Sequence, residues 1–195
     1  MLKLIGRWLF RKNGWKLVNP YMEQCQHCVM VGAPHTSNWD FIYFLAAFDI
    51  MKIPVKFTIK KEWMKFPVSL VMKPLGAVSI DRTPKEPGAE KISMVDAMAE
   101  MLIKNKNMAI VVTPEGTRKA VKKWKTGFYH VALKANVPIA LGYMDYAKKE
   151  AGVGKIIYPT GDRIADLTEI VNFYKNVSAK FPEKNSVNQP GFSIE

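Results

Sequence analysis

The amino-acid sequence predicts a single α/β domain: a largely parallel or mixed sheet flanked by helices, with a short amphipathic helix ahead of it. Three observations carry this. At 195 residues with 48% hydrophobic side chains, the chain can build one sizeable core. Short apolar runs of strand type alternate with stretches of helical periodicity, the pattern of α/β folds. Met108–Val112 is a continuous apolar run, as expected of a central strand buried on both faces.

Taken in order, residues 1–13 predict a helix. Leu2, Ile5, Trp8 and Leu9 share a face while Lys3, Arg7 and Arg11 lie elsewhere, a pattern that fits either a membrane-surface helix or one packed on the domain. The same cations break up the apolar start, so no secretory leader is expected. No run approaches the roughly 18 apolar residues of a membrane span, which points to a protein that is cytoplasmic or peripheral on the cytoplasmic membrane face. The domain proper is expected over residues 14–181. Strands are predicted at 15–18 and 28–32, the second stopped by Pro34. A helix over 39–51 follows, with Ser37 or Asn38 as its N-cap. Strands at 55–59 and 75–80 come next, the latter closed by Asp81-Arg82. Pro84 and Pro87-Gly88 mark a loop before a helix over 89–104, where Ile92, Val95, Ala99 and Leu102 recur at helical spacing. Beyond the 108–112 strand come a short helix over 127–135, with His130 read as a packed residue, and a strand over 138–143. Gly152-Val153-Gly154-Lys155 reads as a turn before a strand. Leu167, Ile170, Val171, Tyr174, Val177 and Phe181 form the stripe of a helix over 165–181. Residues 182–195 carry no pattern and are expected to be loosely ordered.

Lysine and arginine number 29 against 17 acidic residues, a net charge of +12, which suits an anionic partner. Arg118-Lys119 and Lys122-Lys123-Trp124-Lys125 could contact nucleic-acid phosphates and stack on bases. No nucleic-acid motif accompanies them, so a solvated basic face turned to anionic lipid is preferred and no nucleic-acid partner is expected. Cys25 and Cys28 lack the second pair that a structural zinc site needs and read as reduced thiols beside a strand. The rival, a thiol enzyme with His27 or His35 as base, would need one of them as a thiolate.

Three segments carry chemistry. In Pro34-His35-Thr36-Ser37-Asn38-Trp39-Asp40, residues 35 and 40 would diverge on one regular helix. They meet only if His35 lies in a turn and Asp40 in the first helical turn, which Pro34 and the cap residues provide. Asp40 at a helix N-terminus is stabilised as a carboxylate; it can fix the imidazole tautomer and leave the far nitrogen free to take a proton. Gly76-Ala77-Val78-Ser79-Ile80-Asp81-Arg82 is a strand that delivers a charged pair, and Arg82 could clamp a phosphate. Thr113-Pro114-Glu115-Gly116-Thr117-Arg118 falls directly after the most apolar strand, where ligands bind in open α/β sheets. There Gly116 permits close backbone approach, Glu115 can accept hydrogen bonds from hydroxyls, and Arg118 can neutralise an anion.

In order, His-x4-Asp, Gly-x5-Arg, Pro-Glu-Gly-Thr-Arg and Val137-Pro138-Ile139 resemble the four blocks of the glycerolipid acyltransferase family, whose bacterial members include the 1-acyl-glycerol-3-phosphate acyltransferases. The resemblance spans roughly residues 30–143. It implies an α/β fold, membrane association, an acyl-CoA or acyl-carrier-protein donor and a lysophospholipid acceptor, with neither metal nor other cofactor. It also implies that His35 and Asp40 are catalytic and that Arg82, Glu115 and Gly116 hold the acceptor, with Thr117 between them and Arg118 as a further candidate. Ser79 and Thr113 depart from aromatic positions of the pattern, Lys119 replaces a small polar residue, and Ala140-Leu141-Gly142 lacks a frequent second proline. These changes spare the catalytic pair and bear on the acceptor, for which a lyso-amino-lipid is the alternative.

Overall fold

The computed structural model describes residues 2–59, 64–80 and 92–194. Among them seven strands form one mixed sheet: β1 (Lys16–Val18), β2 (His27–Gly32), β3 (Val55–Thr58), β4 (Ala77–Val78), β5 (Met108–Val112), β6 (Ile139–Asp145) and β7 (Glu150–Ile157). Their order is β1-β7-β6-β2-β5-β3-β4. Every neighbouring pair is parallel except the β6–β7 hairpin. The helices are α1 (Leu2–Lys12), α2 (Asn38–Ile50), α3 (Ser69–Met72), α4 (Met94–Lys104), α5 (Gly127–Ala135) and α6 (Arg163–Lys175). The predicted class, a single α/β domain with an N-terminal helix, is the one observed.

The period of two in a strand divides the core between the two faces of the sheet. Val29 and Val31 of β2 join Ile110 and Leu141 under α4, α5 and α6. Cys28 and Met30 join Ala109 and Ala140 under α1 and α2. Because both faces are covered, β2 and β5 read as unbroken apolar runs and not as alternating ones.

Helix α1 packs on the domain through one face and leaves apolar residues on another. Gly6 and Phe10 face inward and Leu9 is half-buried, with Gly6 against Ala46 of α2. Lys3 and Arg7 pair with Asp49 of α2 at 3.0 and 2.6 Å. Leu4, Ile5 and Trp8 are left outside, at 67%, 47% and 57% exposure. Ile5 and Trp8 thus do not share the buried face with Leu9; the face that packs is the one carrying Gly6 and Phe10, with the ion pairs to Asp49 at its edge.

Other differences have plain causes. Gly152-Val153-Gly154-Lys155 is no turn but the middle of β7. A Cβ on Gly152 would lie 1.8 Å from the Val18 carbonyl oxygen, so the glycine is there for close strand approach. The helix of 165–181 runs instead over Arg163–Lys175, and Phe181 lies beyond it. Helix α4 begins at Met94, capped by Ser93; the earlier part of the 89–104 prediction falls largely outside the described residues. His130 is exposed on α5. The tail, patternless in sequence, is packed where it is described: Asn185, Ser186 and Val187 are buried, and Phe192 meets Trp124 edge-on at 5.6 Å. No helix among the described residues is long and apolar enough to cross a membrane.

Candidate functional site

Strands β6, β2 and β5 are adjacent and parallel, so the segments that leave their carboxyl ends emerge at the same edge of the sheet. After β2 comes the 33–37 loop with His35; after β5, the turn with Glu115; after β6, Tyr146. Carboxyl ends of neighbouring parallel strands are where open α/β sheets bind ligands.

Ser37 caps α2, its hydroxyl accepting from the Trp39 N–H at 3.1 Å. Asp40, three residues on, closes a capping box with the N-cap backbone. One oxygen, Oδ2, accepts the Thr36 and Ser37 N–H groups at 2.7 and 2.8 Å and lies 3.4 Å from His35 Nδ1. The other, Oδ1, accepts the Tyr146 hydroxyl at 2.7 Å. The loop-to-helix junction required by the five-residue offset is therefore present, and His35 Nε2 is the ring nitrogen that does not face Asp40. Burial alone would raise the Asp40 pKa. Hydrogen bonds from His35, Tyr146, Ser37 and Thr36 outweigh it and hold the carboxyl below its ordinary value.

Glu115 sits on the other side of His35. It is 4% exposed; Oε1 accepts the His35 N–H at 3.2 Å, and Oε2 has no hydrogen-bond partner among the described residues. Burial pushes its pKa up to about 7. A cavity of about 470 Å³ opens beside His35 and Asp40, walled by apolar side chains that include Phe41, Phe44, Phe57, Val111 and Met144, with Thr113 and Gly116 also lining it. That volume is within the range of small-molecule sites. Glu115 is not on its wall: the turn presents Gly116 to the cavity and directs the glutamate inward.

Gly116 has φ +65°, a conformation that favours glycine, and the Lys125 side chain lies close against it, so that a Cβ there would come within 3.0 Å of Lys125 Nζ. Thr117 is exposed, its hydroxyl accepting only the Lys119 N–H, at 3.4 Å, among the described residues. Arg118 is exposed and donates to Asn38 Oδ1 at 2.5 Å, tying the 113–118 segment to the start of α2. Arg82 lies outside the described residues. His35, Asp40, Glu115 and Gly116 are thus brought together, with Arg118 at their edge.

Sequence reasoning did not place Tyr146 beside these residues, and it read Lys125 only as part of a basic cluster. The place of Lys125 beside Gly116 comes from the bond between its own N–H and the Pro114 carbonyl at 2.9 Å. Tyr146 lies 106 residues from Asp40, with no local pattern to mark it. The cysteines are both buried and free, and burial pushes Cys25 up to about 11 and Cys28 well above its ordinary value, which works against the thiolate that a nucleophile needs.

No curated protein matches the chain. The sequence pattern of the family described as Acyltransferase does match, over residues 18–141. That span covers well over half of the chain and contains His35, Asp40, Glu115 and Gly116, and the chain belongs to this family.

Proposed function

We propose that the chain moves a fatty acyl group from an acyl thioester, carried by coenzyme A or acyl-carrier protein, to the hydroxyl of a lysophospholipid, 1-acyl-glycerol-3-phosphate first among them. The observation that supports this most is a histidine, braced by a buried carboxylate, at the edge of an apolar cavity of about 470 Å³.

An alcohol is far too weak an acid to attack at neutral pH, whereas a histidine of pKa about 6.5 can take its proton during attack. His35 Nε2 removes the hydroxyl proton as the oxygen bonds to the thioester carbonyl carbon. The tetrahedral oxyanion collapses, the C–S bond breaks, and the imidazolium returns the proton to the departing thiolate. Asp40 stabilises the imidazolium between the two steps. The acyl chain lies in the apolar cavity. Arg82 and Arg118 bind the acceptor phosphate, joined by Lys125 beside Gly116. Glu115, whose carboxyl accepts the His35 N–H, serves the site through the His35 backbone. The outward ridge Leu4, Ile5 and Trp8, with the Lys12 ammonium 4.6 Å from the Trp8 ring centroid, suits an anionic membrane surface on the cytoplasmic side.

The test is a transfer assay with purified protein on anionic vesicles, crossing acyl-CoA and acyl-carrier protein with a panel of lysolipids. Transfer to 1-acyl-glycerol-3-phosphate, abolished in a folded His35→Ala variant, is expected. Near-wild-type activity of that variant would sink the mechanism; transfer confined to acceptors without phosphate would replace the acceptor with the lyso-amino-lipid alternative.

A further inference from the structure

We propose that Tyr146 is a positioning residue for the base: its hydroxyl fixes the second oxygen of Asp40 and, through Asp40, the ring of His35. The inference rests on the acyl-transfer reading for its kinetic consequence, though not for its geometry.

Asp40 is held from two directions. The Thr36 and Ser37 N–H groups both converge on Oδ2, so on their own they leave the carboxylate able to swing about that oxygen. Among the described residues, the Tyr146 hydroxyl is the donor to Oδ1, at 2.7 Å. A donor on each oxygen sets the plane of the carboxylate, and with it the face offered to His35 Nδ1.

Tyr146 is itself anchored. Its N–H donates to the Ser178 carbonyl at 2.8 Å. Asp145 Oδ1 accepts the Ala147 and Lys148 N–H groups at 3.0 Å each, which fixes the turn beyond it. The ring meets buried Trp15 edge-on at 4.9 Å, and Trp15 in turn stacks on Phe10 of α1 at 5.9 Å. Burial and the neighbouring Asp40 push the phenol pKa far up, so the hydroxyl remains a donor throughout the working pH range.

The titratable and charged groups around the pair come from every packed element. Asp40 faces His35 from the 33–37 loop, Glu115 from the 113–116 turn and Tyr146 from the hairpin. Tyr146 has Tyr43 of α2 as a further neighbour. Within the hairpin, Lys148 is occupied with Asp145 at 3.8 Å, and Lys149 lies over the Trp15 ring. Loss of the phenol donor leaves the Asp40 carboxylate more basic and better able to hold the imidazolium. Protonated, inactive His35 then persists to higher pH.

Tyr146→Phe keeps the ring on Trp15 and removes only the O–H. Expected are a kcat lower by on the order of tenfold, the scale of losing a group that orients a catalytic imidazole, unchanged KM for both substrates, and an acid limb of kcat displaced to higher pH. A kcat within twofold of wild type, or a loss carried by KM, overturns the proposal. The His35 imidazole titration, followed by NMR without substrate, should also move upward in Tyr146→Phe. An unmoved titration overturns the positioning role whatever the assay shows. A moved titration in a protein that transfers no acyl group overturns the acyl-transfer reading instead. Should Tyr146→Phe fail to fold, Trp15→Phe, which loosens the ring behind the phenol, should move the same titration in the same direction.

Discussion

Asp40 and Glu115 are buried to nearly the same extent, at 7% and 4% exposure, and both touch the loop that carries His35. Their ionisation nevertheless diverges. Asp40 receives two backbone N–H groups, a phenol and the imidazole, and stays a carboxylate. Glu115 receives the His35 N–H on one oxygen and nothing on the other among the described residues, and its pKa rises to about 7. Burial alone disfavours charge on both; the number of donors decides which one keeps it. Two carboxyl groups pushed apart in this way take different parts in acid–base chemistry. In the proposed reaction the ionised one would support the His35 imidazolium. The other, its pKa raised by burial, accepts the His35 N–H and braces the loop.

The contrast between the two breaks most visibly at Asp40. Asp40→Asn keeps the size but offers an amide in place of a carboxylate, so it neither stabilises the imidazolium nor fixes the same tautomer. In a steady-state assay kcat should fall by on the order of a thousandfold or more, as in other histidine–aspartate pairs. The pH dependence carries its own sign. The folded pKa of Asp40 lies below its ordinary 3.8, so the carboxylate stabilises the fold above that value, and the contribution is lost as pH falls through the folded pKa. Urea melts should show wild type and Asp40→Asn converging under acid conditions and separated at neutral pH. A constant gap would mean that Asp40 is not ionised in the fold.

Glu115 should behave in the opposite sense, with a smaller effect. Below pH 4.5 both folded and unfolded chains hold its proton. Between 4.5 and about 7 the unfolded chain loses the proton while the folded one retains it, so stability declines as pH rises, and above about 7 the penalty is constant. Glu115→Gln removes the ionisation while keeping the shape; its unpaired amide adds only a pH-independent offset. Relative to wild type, its stability should therefore rise by about 2 kcal/mol between pH 5 and pH 8. A flat difference across that range would show that Oε2 finds a donor in solution and that Glu115 ionises much as Asp40 does.

How far each half of this pair was legible in the sequence depends on how local it is. His35 and Asp40 are five residues apart, and the proline and cap residues between strand and helix were enough to bring them together. Met108–Val112 was legible because a strand covered on both faces leaves an apolar run. Glu115 was identified as a site residue, but its direction was not, because whether a turn residue faces the cavity or the core depends on the neighbouring β2 loop. Tyr146 was invisible because its placement requires the order β6-β2-β5, which no local spacing encodes. Helix α1 was ambiguous for a related reason: apolar residues lie on several of its sides, and its partners on α2, Ala46 against Gly6 and Asp49 paired with Lys3 and Arg7, lie more than thirty residues away.

The finest distinction lies within the capping box. Ser37 contributes to the Asp40 site twice: its hydroxyl caps α2 through the Trp39 N–H, and its own backbone N–H donates to Asp40 Oδ2. Alanine at 37 deletes the first and leaves the second. Ser37→Ala should therefore cost about 1 kcal/mol of stability, the ordinary loss for a missing N-cap, while the acid dependence seen against Asp40→Asn persists and kcat falls by less than about tenfold. The groups that hold Asp40 are untouched in kind: the N–H groups of residues 36 and 37 belong to the backbone, and the phenol comes from the segment after β6. A kcat loss as large as that of Asp40→Asn would mean that the cap hydroxyl, and not the backbone, holds the loop in register. The difference between the two carboxyl groups would then rest on one side chain and not on the path of the chain.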